Sequence, residues 1–183
     1  KVTIEGSLLT NGTQNNVIQT PTPKNVSILG GKGNIMLATR ESTLIGGSGN
    51  KTIASQSFIG GGESNVITGN YSRNAVILGG KGNTIIGGAS IILGGERNTI
   101  SGNNSVTLGN NISITGDTSL AAGSGVQLEA AQSFVWNEGT KKFSVTGNNV
   151  FALNATRGMI VNTPTPHLQA TLTLNGDLRV QTG

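Results

Sequence analysis

The 183-residue chain has no cysteine, four prolines, one histidine and only 3% aromatic residues. Without cysteine there is no disulfide framework and no thiol chemistry. The lone histidine, His167, follows Pro166 in a stretch that reads as a solvated loop, so no nucleophile–histidine–acid set can be drawn. Charged residues make up 11% of the chain. The acids (Glu5, Glu41, Glu63, Glu96, Asp117, Glu129, Glu138 and Asp177) are scattered, with no close pair. Polysaccharide hydrolysis would want two or more carboxylates on one face. No zinc-ligand spacing and no aspartate-rich calcium repeat is present. No catalytic, cofactor or metal residue is therefore assigned, and the chain does not read as an enzyme. No apolar run approaches the ~18 residues of a membrane span. The twelve basic residues give a net charge of +4 but stand singly, apart from Lys141-Lys142. A nucleic-acid binder clusters them and interleaves aromatics, so nucleic acid is not an expected partner.

What the chain does have is glycine, 29 residues of it, with abundant Asn, Ser and Thr. Such a composition suits disorder, but Ile, Val and Leu occur throughout and in order. Following the glycine after each aliphatic pair gives Gly30, Gly46, Gly60, Gly79, Gly94 and Gly109, in steps of 16, 14, 19, 15 and 15 residues. A second glycine follows in the first five copies, and an Asn follows shortly in most: Asn34, Asn50, Asn65, Asn83 and Asn98. A β-branched pair or near-pair comes next, such as Val66-Ile67 or Ile85-Ile86. The unit is a short strand, a Gly-Gly turn, a second short strand and a Gly/Asn/Ser turn. Short β-branched runs cut by glycine exclude helices. One unit cannot bury its own apolar side, but stacked copies can. The expected fold is all-β, a parallel β-roll or β-solenoid of ~15-residue coils with short β caps at both ends. Six turn glycines at this period mark coil corners, not a phosphate loop, because Gly31-Lys32-Gly33 lacks the following Ser/Thr and no helix follows.

Two further sets of residues stand out. Lys32, Ser48, Glu63, Lys81 and Glu96 form a mixed-sign surface ladder if the coils stack in register. This is either a ligand stripe or a solvated edge that deters sideways aggregation. Four of the six aromatics, Phe134, Trp136, Phe143 and Phe151, fall close together. They suggest a wider element whose core needs large side chains, with the rings meeting near an axis between chains. An aromatic ligand platform is the alternative.

Ser105-Val106-Thr107-Leu108-Gly109 and Ser119-Leu120-Ala121-Ala122-Gly123 lie 14 residues apart. They resemble the "S-V-x-x-G" repeats of trimeric autotransporter adhesin heads, the YadA-like family. That resemblance implies a left-handed roll and three chains packed side by side. Ser133-Phe134-Val135-Trp136, Phe143 to Asn149 and Phe151 to Ala155 resemble the segment that follows such repeats. Gly158 to Thr163, Pro164 to Pro166 and Leu172 to Leu178 resemble a C-terminal segment of bacterial surface fibres and phage tail-fibre proteins. The resemblance implies a cell-surface, extracellular location and a homotrimer, with a host surface, a neighbouring cell or a glycan as the other partner.

The two ends look alike: "VTIEGSLLTNG" is similar to "LTLNGDLRVQTG", and "VIQTPTPK" to "IVNTPTPH". Exposed coil ends invite strand addition, so Val2, Ile4, Leu8, Leu172, Leu174, Leu178 and Val180 are candidates for axial, head-to-tail docking. Ordinary capping is the alternative. The expected organisation is an N-terminal cap or docking segment at 1–24, Gly/Asn-rich roll repeats at 25–132, and an aromatic transition with a C-terminal cap at 133–183. The expected function is structural: a subunit of an extracellular bacterial fibre or filament with an adhesin-like stalk. A phage tail-fibre shaft or receptor-binding protein and a carbohydrate-binding solenoid are the alternatives. An ice-binding face would need regular Thr columns, and the Thr positions are irregular.

Overall fold

A computed structural model describes residues 7–9, 15–19, 24–37, 40–69, 72–139 and 141–155, and all structural statements concern these. The fold is all-β. Nineteen strands of two to six residues form two parallel sheets, and no helix is present among the described residues. Sheet A has ten strands: Ser7–Leu9, Lys24–Ile28, Arg40–Leu44, Phe58–Ile59, Val76–Ile77, Ile91–Glu96, Val106–Asn110, Leu120–Ser124, Phe134–Asn137 and Phe151–Asn154. Sheet B takes the nine strands that alternate with them in sequence, from Val17–Ile18 to Phe143–Val145. The chain thus crosses from A to B and back in every coil, a β-solenoid of about nine turns. At ~4.8 Å per strand spacing, the ten stacked strands of sheet A rise about 43 Å.

The aliphatic pairs explain the strands. In each short strand one residue points inward and its neighbour outward, as in Val66–Ile67, Val76–Ile77 and Thr84–Ile85. The inward residues stack on like residues one coil away. Ile28, Leu44, Ile59, Ile77 and Ile92 form one file from sheet A, with Leu44 opposite both Ile28 and Ile59. Met36, Thr52, Ile67, Ile85, Ile100, Ile114 and Leu128 form the facing file from sheet B. All of these are fully buried, and each large one contributes about 1.5–3 kcal/mol of transfer free energy. The interior is narrow, with one inward side chain in each two-residue strand and two in several of the longer ones.

Both corners of the coil follow a rule of their own. At the entry to every sheet A strand after the first, as its second residue or two residues before it, the backbone takes a left-handed conformation: Asn25, Glu41, Gln56, Asn74, Ala89, Asn104, Thr118, Gln132 and Asn149 have φ between 51° and 59°. After this residue comes a column of buried Ser42, Ser57, Ser90, Ser105, Ser119 and Ser133, with Val26, Ala75 and the half-buried Val150 in the remaining places. Ser42, Ser90, Ser105, Ser119 and Ser133 each accept a backbone N–H from the following coil. Ser105 N–H donates to Ser90 Oγ (3.2 Å), and Ser119 N–H to Ser105 Oγ (3.1 Å).

The opposite corner carries a ladder of buried asparagines. Asn34, Asn50, Asn65, Asn83 and Asn98 are fully buried, and each also follows a residue with positive φ: Gly33, Gly49, Ser64, Gly82 and Arg97. The Oδ1 of each accepts the N–H of the equivalent residue one coil on, at 2.9–3.1 Å. The Nδ2 bridges two carbonyls, one in its own coil and one in the next. The ladder ends where the coil shortens. A register shift between Ile92 and Gly95 removes one residue from the next corner, and there Ile112 and Val126 take the Asn position.

The aromatic cluster lies differently from the expectation of a wider, ring-filled core. Phe134, Trp136 and Phe151 are outside the coil, because the inward places between them belong to Val135 and Ala152. Only Phe143 packs against the interior. The inward places at this level are filled by Ala121, Val135 and Ala152, which leaves no room for three rings.

Candidate functional site

The outer face of sheet A holds most of the exposed large apolar side chains among the described residues. Parallel sheets are usually covered on both faces. Here the outward positions form two largely apolar files. One starts at the polar pair Ser27 and Thr43 and is apolar from Phe58 on, through Val76, Ile91, Val106, Leu120, Phe134 and Phe151. The other runs through Leu29, Ile45, Leu78, Leu93, Leu108, Trp136 and Leu153, with Gly60 and Ala122 interrupting it. Twelve large apolar side chains are exposed among the described residues, and nine of them lie on this face. Phe151 is 71% exposed, with its ring stacked on Phe134 at a centroid separation of 5.1 Å and 15° between planes. Taking about 170 Å² for a fully exposed large side chain, within the range of the aromatics, the nine offer roughly 700 Å². That exceeds the usual patch on a monomer, about 300–600 Å². It is close to the ~800 Å² per partner of a standard interface.

The outer face of sheet B changes character along the axis. Its first coils are mixed, with Val17, Ile35, Lys51, Val66 and Thr84 in one file and Gln19, Leu37, Ile53, Thr68 and Ile86 in the other. Later coils carry Thr99, Ser101, Ser113, Thr115, Gln127, Glu129, Ser144 and Thr146. Of the twelve exposed large apolar side chains, sheet B carries three, Val17, Ile53 and Ile86, against nine on sheet A.

The mixed-sign ladder stands in one column. Parallel bridges link Lys32 to Ser48, Ser48 to Glu63, Glu63 to Lys81, and Lys81 to Glu96. Lys81 Nζ lies 3.0 Å from Glu63 Oε1, with both side chains more than half exposed, so the pair adds little to stability. Of the six candidate turn glycines, Gly30, Gly46 and Gly79 share a coil position. Gly60 lies one position earlier in its own coil, where Gly61 is the equivalent. The tightest spot belongs to the next residue. Gly31, Gly47, Gly62, Gly80 and Gly95 have φ from 84° to 95°, and a Cβ on any of them would run into the carbonyl of the following coil. Gly94 and Gly109 also have positive φ, and Gly109 stacks in the same way against Gly123. Of the axial docking candidates, Leu8 sits in the first strand of sheet A opposite Ser27. Val2, Ile4, Leu172, Leu174, Leu178 and Val180 lie outside the described residues, as does His167.

Three shallow depressions line the surface. One, of about 440 Å³, is formed by Arg40, Glu41, Ser55, Gln56 and Arg73. A second, of about 520 Å³, runs from Asn111 to Lys142 across the sheet B side. The third, of about 540 Å³, lies beside Phe134 and Leu120. Among the described residues no three His, Asp or Glu side chains come together as a metal cluster would require. Sequence reasoning did not single out the serine column or the arginine pair. The serines were detectable, since one precedes most sheet A strands. The arginines gave no signal, being 33 residues apart in the chain.

No protein-family model, curated protein or solved structure matches the chain.

Proposed function

We propose that the chain is a structural, non-enzymatic subunit of an extracellular bacterial fibre. Three copies pack side by side with their sheet A faces turned to a common axis, and trimers stack head to tail. The observation that carries this reading is the outer face of sheet A, which holds nine of the twelve exposed large apolar side chains among the described residues. An isolated chain would leave roughly 700 Å² of it in water, and burial at about 25 cal/mol per Å² is a strong drive to associate. Phe134, Trp136 and Phe151 then fill the interface between chains, in place of a wider coil core. The number three and the left-handed winding come from the resemblance to trimeric autotransporter heads. The mechanical role follows from the stacking: opening one coil breaks its backbone bonds above and below and its contacts with neighbouring chains.

A double substitution, Leu78→Lys with Leu108→Lys, tests it. Both side chains are half exposed, and neither belongs to the buried interior. The expected result is a fall in mass, by light scattering, from a multiple of 18.6 kDa to the single chain. An assembly unchanged by both lysines would overturn the reading.

A further inference from the structure

We propose that Arg40 and Arg73, on either side of Ser55, form a binding site for an acidic glycan, a sugar polymer bearing carboxylate or sulfate groups. The three residues stand in one corner column. Each directly precedes a left-handed residue, Glu41, Gln56 and Asn74 respectively, in coils that follow one another. The two arginines are thus two strand spacings apart, about 10 Å. Between them lies the depression of about 440 Å³, whose lining is polar throughout: Arg40, Glu41, Ser55, Gln56 and Arg73.

Neither guanidinium has a hydrogen-bond or ion-pair partner among the described residues. The contrast is with Arg97, whose Nε donates to Asn111 Oδ1 at 2.8 Å, and with Lys81, which is paired to Glu63. A guanidinium presents a planar fork of donors that fits a carboxylate or sulfate in two-point fashion. Gln56 Nε2 donates to Glu41 Oε2 at 3.0 Å, which holds an amide and a carboxylate beside the arginines. These groups suit the hydroxyls of a sugar.

The same carboxylate narrows the ligand. Two arginines and one glutamate leave the depression with a single net positive charge. A dense polyanion such as duplex nucleic acid, with a charge about every 1.7 Å of axis, would force phosphates against Glu41. A glycan with sparse anions can place one on each arginine and hydroxyls between. The site lies at the corner that leads into sheet A, bordering the outward files rather than lying on them, and it is built wholly from one chain's residues.

The test is titration of the chain with alginate oligomers, a polyuronate, alongside dextran sulfate and neutral dextran. The expected result is saturable binding of a charged polymer, weakened by salt, and none of dextran. The two charged arms tell carboxylate from sulfate recognition. Arg40→Gln and Arg73→Gln should each weaken binding about tenfold or more, as loss of a charge-assisted contact does. Lys32→Gln removes the same charge at the opposite corner and should leave binding unchanged. Three results would overturn the proposal: no binding of either charged polymer, a loss with Lys32→Gln equal to that with Arg40→Gln, or arginine variants that bind normally but lower the assembly mass. The last would assign the arginines to contacts between copies.

Discussion

Replacing Asn65 by Ala tests the corner ladder that holds the coils in register. Asn65 is fully buried, near the middle of the ladder. Its Nδ2 donates to Gly61 O and Gly80 O, both at 2.9 Å, and its Oδ1 accepts the N–H of Asn83 at 3.0 Å. Alanine removes all three bonds. Gly80 O keeps the N–H of Glu63 at 2.9 Å. Asn83 N–H is buried and loses the side chain that served it, whereas Gly61 is half-buried and its carbonyl can turn to water. One buried polar group stripped of a partner costs about 1–3 kcal/mol, and the other two bonds add about 1 kcal/mol each. The expected loss is therefore about 3–5 kcal/mol, measured by urea unfolding followed by far-ultraviolet circular dichroism at fixed chain concentration. Ser64→Gly is the control in the same corner. Ser64 is exposed with φ 56°, so glycine there removes left-handed strain and should leave stability within about 1 kcal/mol or raise it. A loss below about 1 kcal/mol for Asn65→Ala would refute the claim that the ladder holds the coils.

Adjacent glycines should differ sharply. Gly80→Ala drives a methyl into the backbone of Gly95 at φ 95°, and unfolding should show a loss of several kcal/mol or no folded protein. Gly79→Ala meets open space and should be neutral by the same measurement. Thr107 Oγ1 is buried without a partner among the described residues, so Thr107→Val, of the same shape, should stabilise by about 1–3 kcal/mol in urea. Thr118 is a β-branched residue at φ 56°, and Thr118→Asn should raise the melting temperature by relieving about 1 kcal/mol of backbone strain.

The period of the coil and its β character were legible because each coil repeats the same three needs: an inward aliphatic, a tight corner and a buried polar cap. The register of the corner was less so. In Gly60-Gly61-Gly62 three glycines offer three alignments, and only counting back from the buried Asn65 shows which carbonyl it caps. The left-handed corner residues were not legible at all. Glu41, Gln56, Ala89 and Thr118 take a conformation their side chains disfavour, because the stacked coils above and below impose it. The aromatic cluster was visible, but its side of the sheet was not. Phe134 and Trp136 flank Val135, and alternation alone does not say which of the two sets faces in. The small interior decides it, and the neighbouring files, Thr107 with Ala121 and Val135, show how narrow that interior is.

The shift from Asn to Ile112 and Val126 at the shortened corner shows two solutions to one problem within one chain. A longer corner leaves carbonyls that need an amide. A shorter one closes its backbone bonds coil to coil and buries an aliphatic residue instead. Sheet A runs through both kinds of coil, and its outward files stay apolar across the change. The apolar character of that face is thus independent of how the corners are built.

The mass of the unaltered chain in solution tests this account most directly. Sedimentation equilibrium over a range of concentrations should give three times 18.6 kDa or a multiple of that trimer, with no population of single chains at micromolar concentration. A single species of 18.6 kDa across the whole range, stable and folded, would mean that the apolar face of sheet A stays in water, and would contradict the account.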